Sequence, residues 1–307
     1  MIVAASSVSK RFGNRLAVDR LTLEVPAGVC YGLLGPNGAG KTTTLRMIYG
    51  VTRPTQGKVT VFGMDIAREP RAVKARLGVT LQQNVFVEAL SPRENLQVFG
   101  RYYLLGDTEI ATRAKELIDF FELGGHADLP VQALSGGLQR RLAIALSLIN
   151  RPELLILDEP STGLDPAVRL ALWSRIRDLQ AAGTTVLITT HYMDEAQRLC
   201  DRVAIVSSGR VVEEGKPADL IVKHLARETV ELDCTAEEER SLLDPAAPIP
   251  KRLRAGRRLI LYVEDAAPVI ETIRSRDTHD GRALVVRPTN LEDVFLAVTG
   301  TRLEGDQ

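Results

Sequence analysis

The strongest constraint on this chain is the stretch from Cys30 to Met47, C-Y-G-L-L-G-P-N-G-A-G-K-T-T-T-L-R-M. A short apolar run, Cys30 to Leu34, reads as a buried strand, and a helix-compatible segment follows Thr42. Between them lie Gly35, Pro36, Asn37, Gly38, Ala39 and Gly40, then Lys41, Thr42 and Thr43. This is G-x-x-x-x-G-K-[ST] in the strand–loop–helix setting that gives the pattern its meaning. Glycines let consecutive backbone N–H groups turn inward on phosphate oxygens with no Cβ in the way. The helix beginning near Gly40 adds unpaired N–H donors and the positive end of its dipole. Lys41 is placed to reach the β and γ phosphates, and Thr42 to offer its hydroxyl to Mg²⁺. A glycine-rich turn beside a surface lysine would not account for the strand in front and the helix behind. The stretch implies a bound nucleoside triphosphate.

At 307 residues, 45% of them apolar, the chain exceeds one average domain and can fill a large core. Lysine plus arginine equals aspartate plus glutamate, 39 of each, so no overall field draws the molecule to nucleic acid or anionic lipid; this balance leaves a local patch open, and no nucleic-acid partner is expected of the reading reached below. Cys30, Cys200 and Cys234 are scattered, without C-x-x-C spacing, as suits reduced thiols in a cytosolic protein. The longest apolar runs fall far short of the roughly 20 residues that cross a bilayer. No basic segment followed by an apolar signal core opens the chain. Work at a membrane would therefore need a second chain to do the spanning.

Strand and helix patterns alternate through the first two thirds, which predicts an α/β fold: a mostly parallel sheet covered by helices. Val3–Ser7, Leu16–Val25, Lys58–Phe62 and Leu77–Leu81 read as strands, the last delivering Gln82 and Gln83 at its end. Ser91-Pro92-Arg93-Glu94 reads as a helix start, with serine as N-cap and glutamate three residues on. Helices dominate residues 84–150, a helical subdomain within a first domain spanning 1–226. Near Arg227 the pattern changes. The order β-α-β-β-α-β plus a final helix predicts a small α+β, ferredoxin-like domain over 227–307, with no catalytic constellation of its own.

Leu154-Leu155-Ile156-Leu157-Asp158-Glu159 forms the second half of the nucleotide site. An apolar strand holds carboxylates at its carboxyl end, where ligands bind in open α/β sheets. Asp158 can hold Mg²⁺, and Glu159 can orient or deprotonate an attacking water. Leu134-Ser135-Gly136-Gly137-Leu138-Gln139-Arg140-Arg141 makes a further anion site, a serine N-cap with two glycines baring the first N–H groups. One nucleotide in one chain needs one phosphate loop, so this second site suggests a γ-phosphate shared with another subunit. Phe12, in S-K-R-F-G-N, reads locally as a cap on the sheet, Asp165 as a helix N-cap, and His191 as a loop residue after the strand Thr185–Thr190.

From Ile2 to about Leu225 the sequence resembles the ATP-binding-cassette ATPases. G-P-N-G-A-G-K-T-T matches their Walker A segment, L-L-I-L-D-E-P Walker B, L-S-G-G-L-Q-R-R the signature motif, S-T-G-L-D the D-loop and T-T-H the switch histidine. The resemblance implies a head-to-tail homodimer, each ATP lying between one chain's Lys41 and the partner's Ser135 and Gly137, with Gly136 between them. It implies that Phe12 stacks on adenine and that Gln82 senses Mg²⁺ and the attacking water, with Gln83 as the neighbouring candidate. It implies also that His191 contacts the γ-phosphate and that Asp165 lies at the subunit seam. Asn95–Tyr102 and Leu291–Leu296 resemble the ATPases of ABC-2-type exporters, which serve drugs such as daunorubicin or lipo-oligosaccharide nodulation factors. The expected protein is thus a bacterial ATPase subunit at the inner face of the cell membrane, driving a separate integral permease that docks near Gln82–Asn95. The competing expectation is a soluble ATPase of the same superfamily acting on nucleic acid or the ribosome. Those relatives carry paired cassettes or inserted coiled coils, and neither is visible here.

Overall fold

The computed structural model describes residues 1–243, 251–277 and 282–300, which form two units, Met1–Glu214 and the chain from Gly215 onward. The first unit opens with β1 (Val3–Phe12) and β2 (Arg15–Val25), followed by β3 (Cys30–Leu34), α1 (Lys41–Ile48), β4 (Gln56–Val61) and β5 (Met64–Asp65). Strands β2-β1-β4-β5 make an antiparallel sheet. The first strand does not stop at Ser7 as expected. It continues to Phe12, which pairs with Arg15 across the turn at Gly13–Asn14. Register shifts after Ala5, Val8 and Lys10 break the alternation by which a strand is read from sequence.

The chain continues through α2 (Pro70–Ala75), β6 (Leu77–Thr80), α3 (Pro92–Tyr102), α4 (Asp107–Phe120), α5 (Gly136–Ser147), β7 (Leu154–Asp158), α6 (Pro166–Ala181), β8 (Thr185–Thr190), α7 (Met193–Leu199), β9 (Arg202–Ser207) and β10 (Arg210–Gly215). The larger sheet has the order β10-β9-β3-β8-β7-β6. Every residue of β3, β7 and β8 is buried, which is why these strands read as unbroken apolar runs rather than alternating ones. Parallel registers set Leu34 beside Thr190, Asp158 beside Thr189, and Thr80 beside Leu157. The phosphate loop, Asp158-Glu159, Gln82 and His191 therefore all leave the sheet at one edge, the carboxyl ends of its strands.

Helices α3 to α5 form the expected helical subdomain. Ser91 Oγ accepts from the Glu94 N–H at 3.3 Å and Glu94 Oε2 accepts from the Ser91 N–H at 2.8 Å, so the anticipated capping box is present. Helices α3 and α4 pack through Leu96, Ile110, Leu117 and Ile118, all buried, with Ile110 against Gly100. Cys30 on β3 and Cys200 at the end of α7 face each other, Sγ to Sγ 4.0 Å, as free thiols, and Cys234 is also buried and free.

The second unit holds α8 (Pro217–His224), β11 (Glu228–Asp233), α9 (Ala236–Leu242), β12 (Lys251–Ala255), β13 (Arg258–Val263), α10 (Ala266–Arg276), β14 (Leu284–Pro288) and α11 (Leu291–Thr299). Its sheet is antiparallel in the order β12-β13-β11-β14, the ferredoxin-like arrangement. One face packs Val230, Leu232, Leu259 and Leu261 against Leu242 and Ile273. The other carries a polar network: Glu231 pairs with Arg258 and Arg287, Arg287 with Asp293 at 2.7 Å, and the Tyr262 hydroxyl donates to Asp293 at 3.3 Å. Helix α8 packs on α11 within this second unit.

Candidate nucleotide site

Gly40, the N-cap of α1, takes a left-handed backbone with φ of 104°. A Cβ there would lie 2.6 Å from the Ala17 carbonyl, so only glycine lets the loop close onto β2. Lys41, the first residue of α1, is buried, and its ammonium donates to the carbonyls of Gly35 at 2.7 Å and Pro36 at 3.2 Å. Burial lowers its pKa, while Glu159 and Asp158 work in the opposite direction. Its Nζ sits 3.7 Å from Glu159 Oε1. The lysine is thus held across the mouth of its own loop by those two carbonyls.

Strand β7 delivers the acids. Thr42 Oγ1 donates to Asp158 Oδ1 at 3.3 Å, and the Thr189 hydroxyl donates to the same oxygen. A hydroxyl beside a rigid carboxylate is a hard-oxygen donor pair suited to Mg²⁺. Glu159, mostly buried, turns through a left-handed φ of 47°. Its N–H is held by the carbonyl and the hydroxyl of Thr189, each at 3.1 Å. The turn aims its carboxylate at the functional groups around it. Glu159 Oε2 accepts from Gln82 Nε2 at 3.2 Å and from the Thr162 hydroxyl at 3.3 Å, and His191 Nδ1 lies 3.4 Å away.

Lys41, Thr42, Gln82 and Glu159 border a cleft of about 600 Å³ lined also by Phe12, Arg15, Ala17 and the loop residues Asn37 to Thr43, with Asp158 and His191 behind this lining. Phe12 is half exposed and Lys10 Nζ lies 5.0 Å from its ring centre, so the ring is presented to the cleft rather than packed into the sheet. Of the two neighbouring glutamines, Gln82 faces Glu159, whereas Gln83 lines a different, apolar cavity. Sequence reasoning missed Arg15, Ala17 and Thr189. Arg15 was findable as the residue that pairs with Phe12 once β1 is extended. Thr189 had no signal, being one more residue of a buried strand.

Ser135, Gly136, Gly137 and Asp165 do not line the cleft. Ser135 caps α5, its hydroxyl accepting from the Leu138 N–H at 3.4 Å. Asp165 caps α6 by accepting from the Val168 N–H at 3.0 Å. Gly137 lies against Val168, where a Cβ would come within 3.0 Å of the valine methyl. The two helix starts are therefore mutually packed, apart from the cleft of their own chain.

Residues 18–162 match the family described as ABC transporter, and residues 246–300 match the C-terminal domain of the nodulation factor export protein NodI. The chain is 43% identical to the Nod factor export ATP-binding protein I of Ralstonia nicotianae, over 98% of this chain and 95% of the relative. The protein of the same name from Cupriavidus metallidurans is 43% identical over 98% of each chain. Among solved structures, the chain resembles the ATP-binding subunit of an ABC transporter with a TM-score of 0.67 and 28% identity, over 73% of this chain and 93% of that one. It also resembles a dimeric ATP-binding cassette in a post-hydrolysis state bound to ADP and Pi, with a TM-score of 0.64 and 27% identity over 70% and 98% of the two chains. With its phosphate loop, its carboxylate pair and these relatives, the chain belongs to the ATP-binding, ATP-hydrolysing subunits of ABC transporters.

Proposed function

We propose that this protein energises a bacterial exporter by closing and opening as a head-to-tail homodimer around two molecules of Mg·ATP. The observation that carries the reading is the convergence of Lys41, Gln82 and His191 on the single carboxylate of Glu159, at the end of β7 and beside the phosphate loop. Lys41 and the N–H groups of Gly38 to Thr43 bind the outer phosphates, and Phe12 stacks on adenine. Thr42, Asp158 and Gln82 are the residues that would hold Mg²⁺, which when bound neutralises charge on the phosphate oxygens. Glu159 takes the proton of the attacking water, a role typically worth about 10²–10⁴ in rate. Gln82 and His191 keep that water and the γ-phosphate in line. The anion seat at Ser135, Gly136 and Gly137, outside its own chain's cleft, covers the γ-phosphate of the partner subunit, with Asp165 at the seam.

A permease segment docks in the apolar cavity of about 320 Å³ lined by Tyr49, Val51, Leu81, Val85, Phe99 and Tyr103. Leu81 and Val85 flank Gln82, so the state of the nucleotide is felt in the floor of that groove. No helix among the described residues is long and apolar enough to cross a membrane, and the spanning is assigned to this separate permease at the cytoplasmic face. The cargo class proposed is that named for the relatives, nodulation factors.

The test uses the purified full chain with Glu159→Gln. Labelled ATP should bind with wild-type affinity and light scattering should show an ATP-dependent dimer, while turnover falls by about 10²–10⁴. Undiminished steady-state hydrolysis would remove Glu159 from the mechanism. A chain that stays monomeric with ATP would remove the shared site.

A further inference from the structure

We propose that Arg140 is a positioning residue for hydrolysis. It fastens the helix that carries Ser135 to the two backbone segments that carry Glu159 and Gln82 in the same chain.

Arg140 lies five residues beyond Ser135 on α5, so roughly 7–8 Å of rigid helix separates the two. Arg140 is only 5% exposed, yet among the described residues it has no carboxylate at ion-pair distance. All its bonds go to two loops. Nε donates to the Pro160 carbonyl at 2.8 Å, and Nη2 donates to the carbonyls of Asp158 at 3.0 Å and Glu159 at 3.2 Å. Nη1 donates to the Leu81 carbonyl at 2.7 Å and to Asn84 Oδ1 at 3.0 Å. A guanidinium has five N–H donors, and here five acceptors meet them.

Burying a cation is expensive, and apolar packing usually stabilises a core better. What the arginine supplies that a leucine could not is directional hold. Its acceptors bracket Glu159 on one side and Gln82 on the other. The Glu159 backbone sits in a left-handed conformation that a non-glycine residue keeps only when its surroundings enforce it. Arg140 holds the carbonyls of Asp158, Glu159 and Pro160, while Thr189 holds the Glu159 N–H. Burial lowers its pKa to about 10, so it remains a cation at neutral pH. When Ser135 engages a nucleotide on the partner subunit, any displacement of α5 reaches Glu159 and Gln82 through one side chain. This step rests on the dimer reading above. A lysine keeps the charge but offers three donors from one point, and cannot span both loops.

The experiment compares the full-length chain with its Arg140→Lys variant. Steady-state kcat for ATP should fall about tenfold or more. KM for ATP should stay within about twofold, as should ATP-dependent dimerisation scored in a Glu159→Gln background. The melting temperature separates this from general unfolding. If Arg140→Lys does not fold, Asn84→Ala removes one strut from the Gln82 side and should lower kcat with KM unchanged. A kcat within about twofold of wild type in a folded variant overturns the proposal. So does a loss of dimerisation that matches the loss of turnover, since the arginine would then act only through the signature seat. Failure of the wild-type chain to dimerise or hydrolyse would instead overturn the functional reading beneath it.

Discussion

At the scale of single residues, the site depends on buried polar groups whose cost is offset by specific partners. Glu195 on α7 is fully buried, its Oε1 accepting from the Trp173 indole N–H at 2.8 Å. Burial raises its pKa above the ordinary 4.5, with the hydroxyls of Thr190 and Ser161 and the Trp173 N–H opposing the rise. The folded chain therefore holds this proton to higher pH than the unfolded chain does, and stability declines as pH climbs from 4.5 through the raised value. Glu195→Gln should abolish that decline. Melting curves from about pH 4 to about pH 8 should show the variant gaining on wild type across the window and matching it at the acid end. A constant difference would mean the carboxyl does not titrate there. Sequence reading singled out Lys41, Asp158 and Glu159 because loop geometry and strand ends constrain short local patterns. It could not locate Arg140 as a structural link, since that side chain's partners are carbonyls from segments far along the chain, and any residue type supplies a carbonyl.

At the scale of elements, helix starts were the most legible feature and strand ends the least. Ser91 and Glu94 announce α3 because a capping box is local in sequence. The bulged β1 conceals its own length, since each register shift reverses which face a side chain points to. Close packing between elements leaves no pattern at all. Gly78 on β6 lies under α5, where a Cβ would stand 2.0 Å from the Ser147 carbonyl and 2.9 Å from the Pro152 ring. Backbone cannot yield as a flexible side chain does. Gly78→Ala should destabilise the first unit by about 1–3 kcal/mol, read from the denaturant midpoint. A neutral result would show that β6 and α5 can separate freely.

At the scale of the whole molecule, the fold class, with its helical subdomain and the ferredoxin-like strand order, was readable from alternating patterns. Composition shifts near Arg227, but α8 packs on α11, a contact between residues some seventy positions apart that composition cannot register. A fragment beginning at Gly215 should therefore melt at a higher temperature than one beginning at Arg227, as followed by circular dichroism. Equal melting would return α8 to the first unit. The three thiols carry a different consequence. All are buried, out of reach of a reagent in solution, and the Cys200 thiol is pushed well up by its Cys30 neighbour and by burial. The natural chain is then nearly dark to maleimide dyes, and one cysteine placed at Val222, which is 80% exposed, would be the sole fluorescent address on each copy. In the dimer proposed above, donor and acceptor on the two copies would turn each turnover into a distance trace, with no need to strip the native sulfurs first.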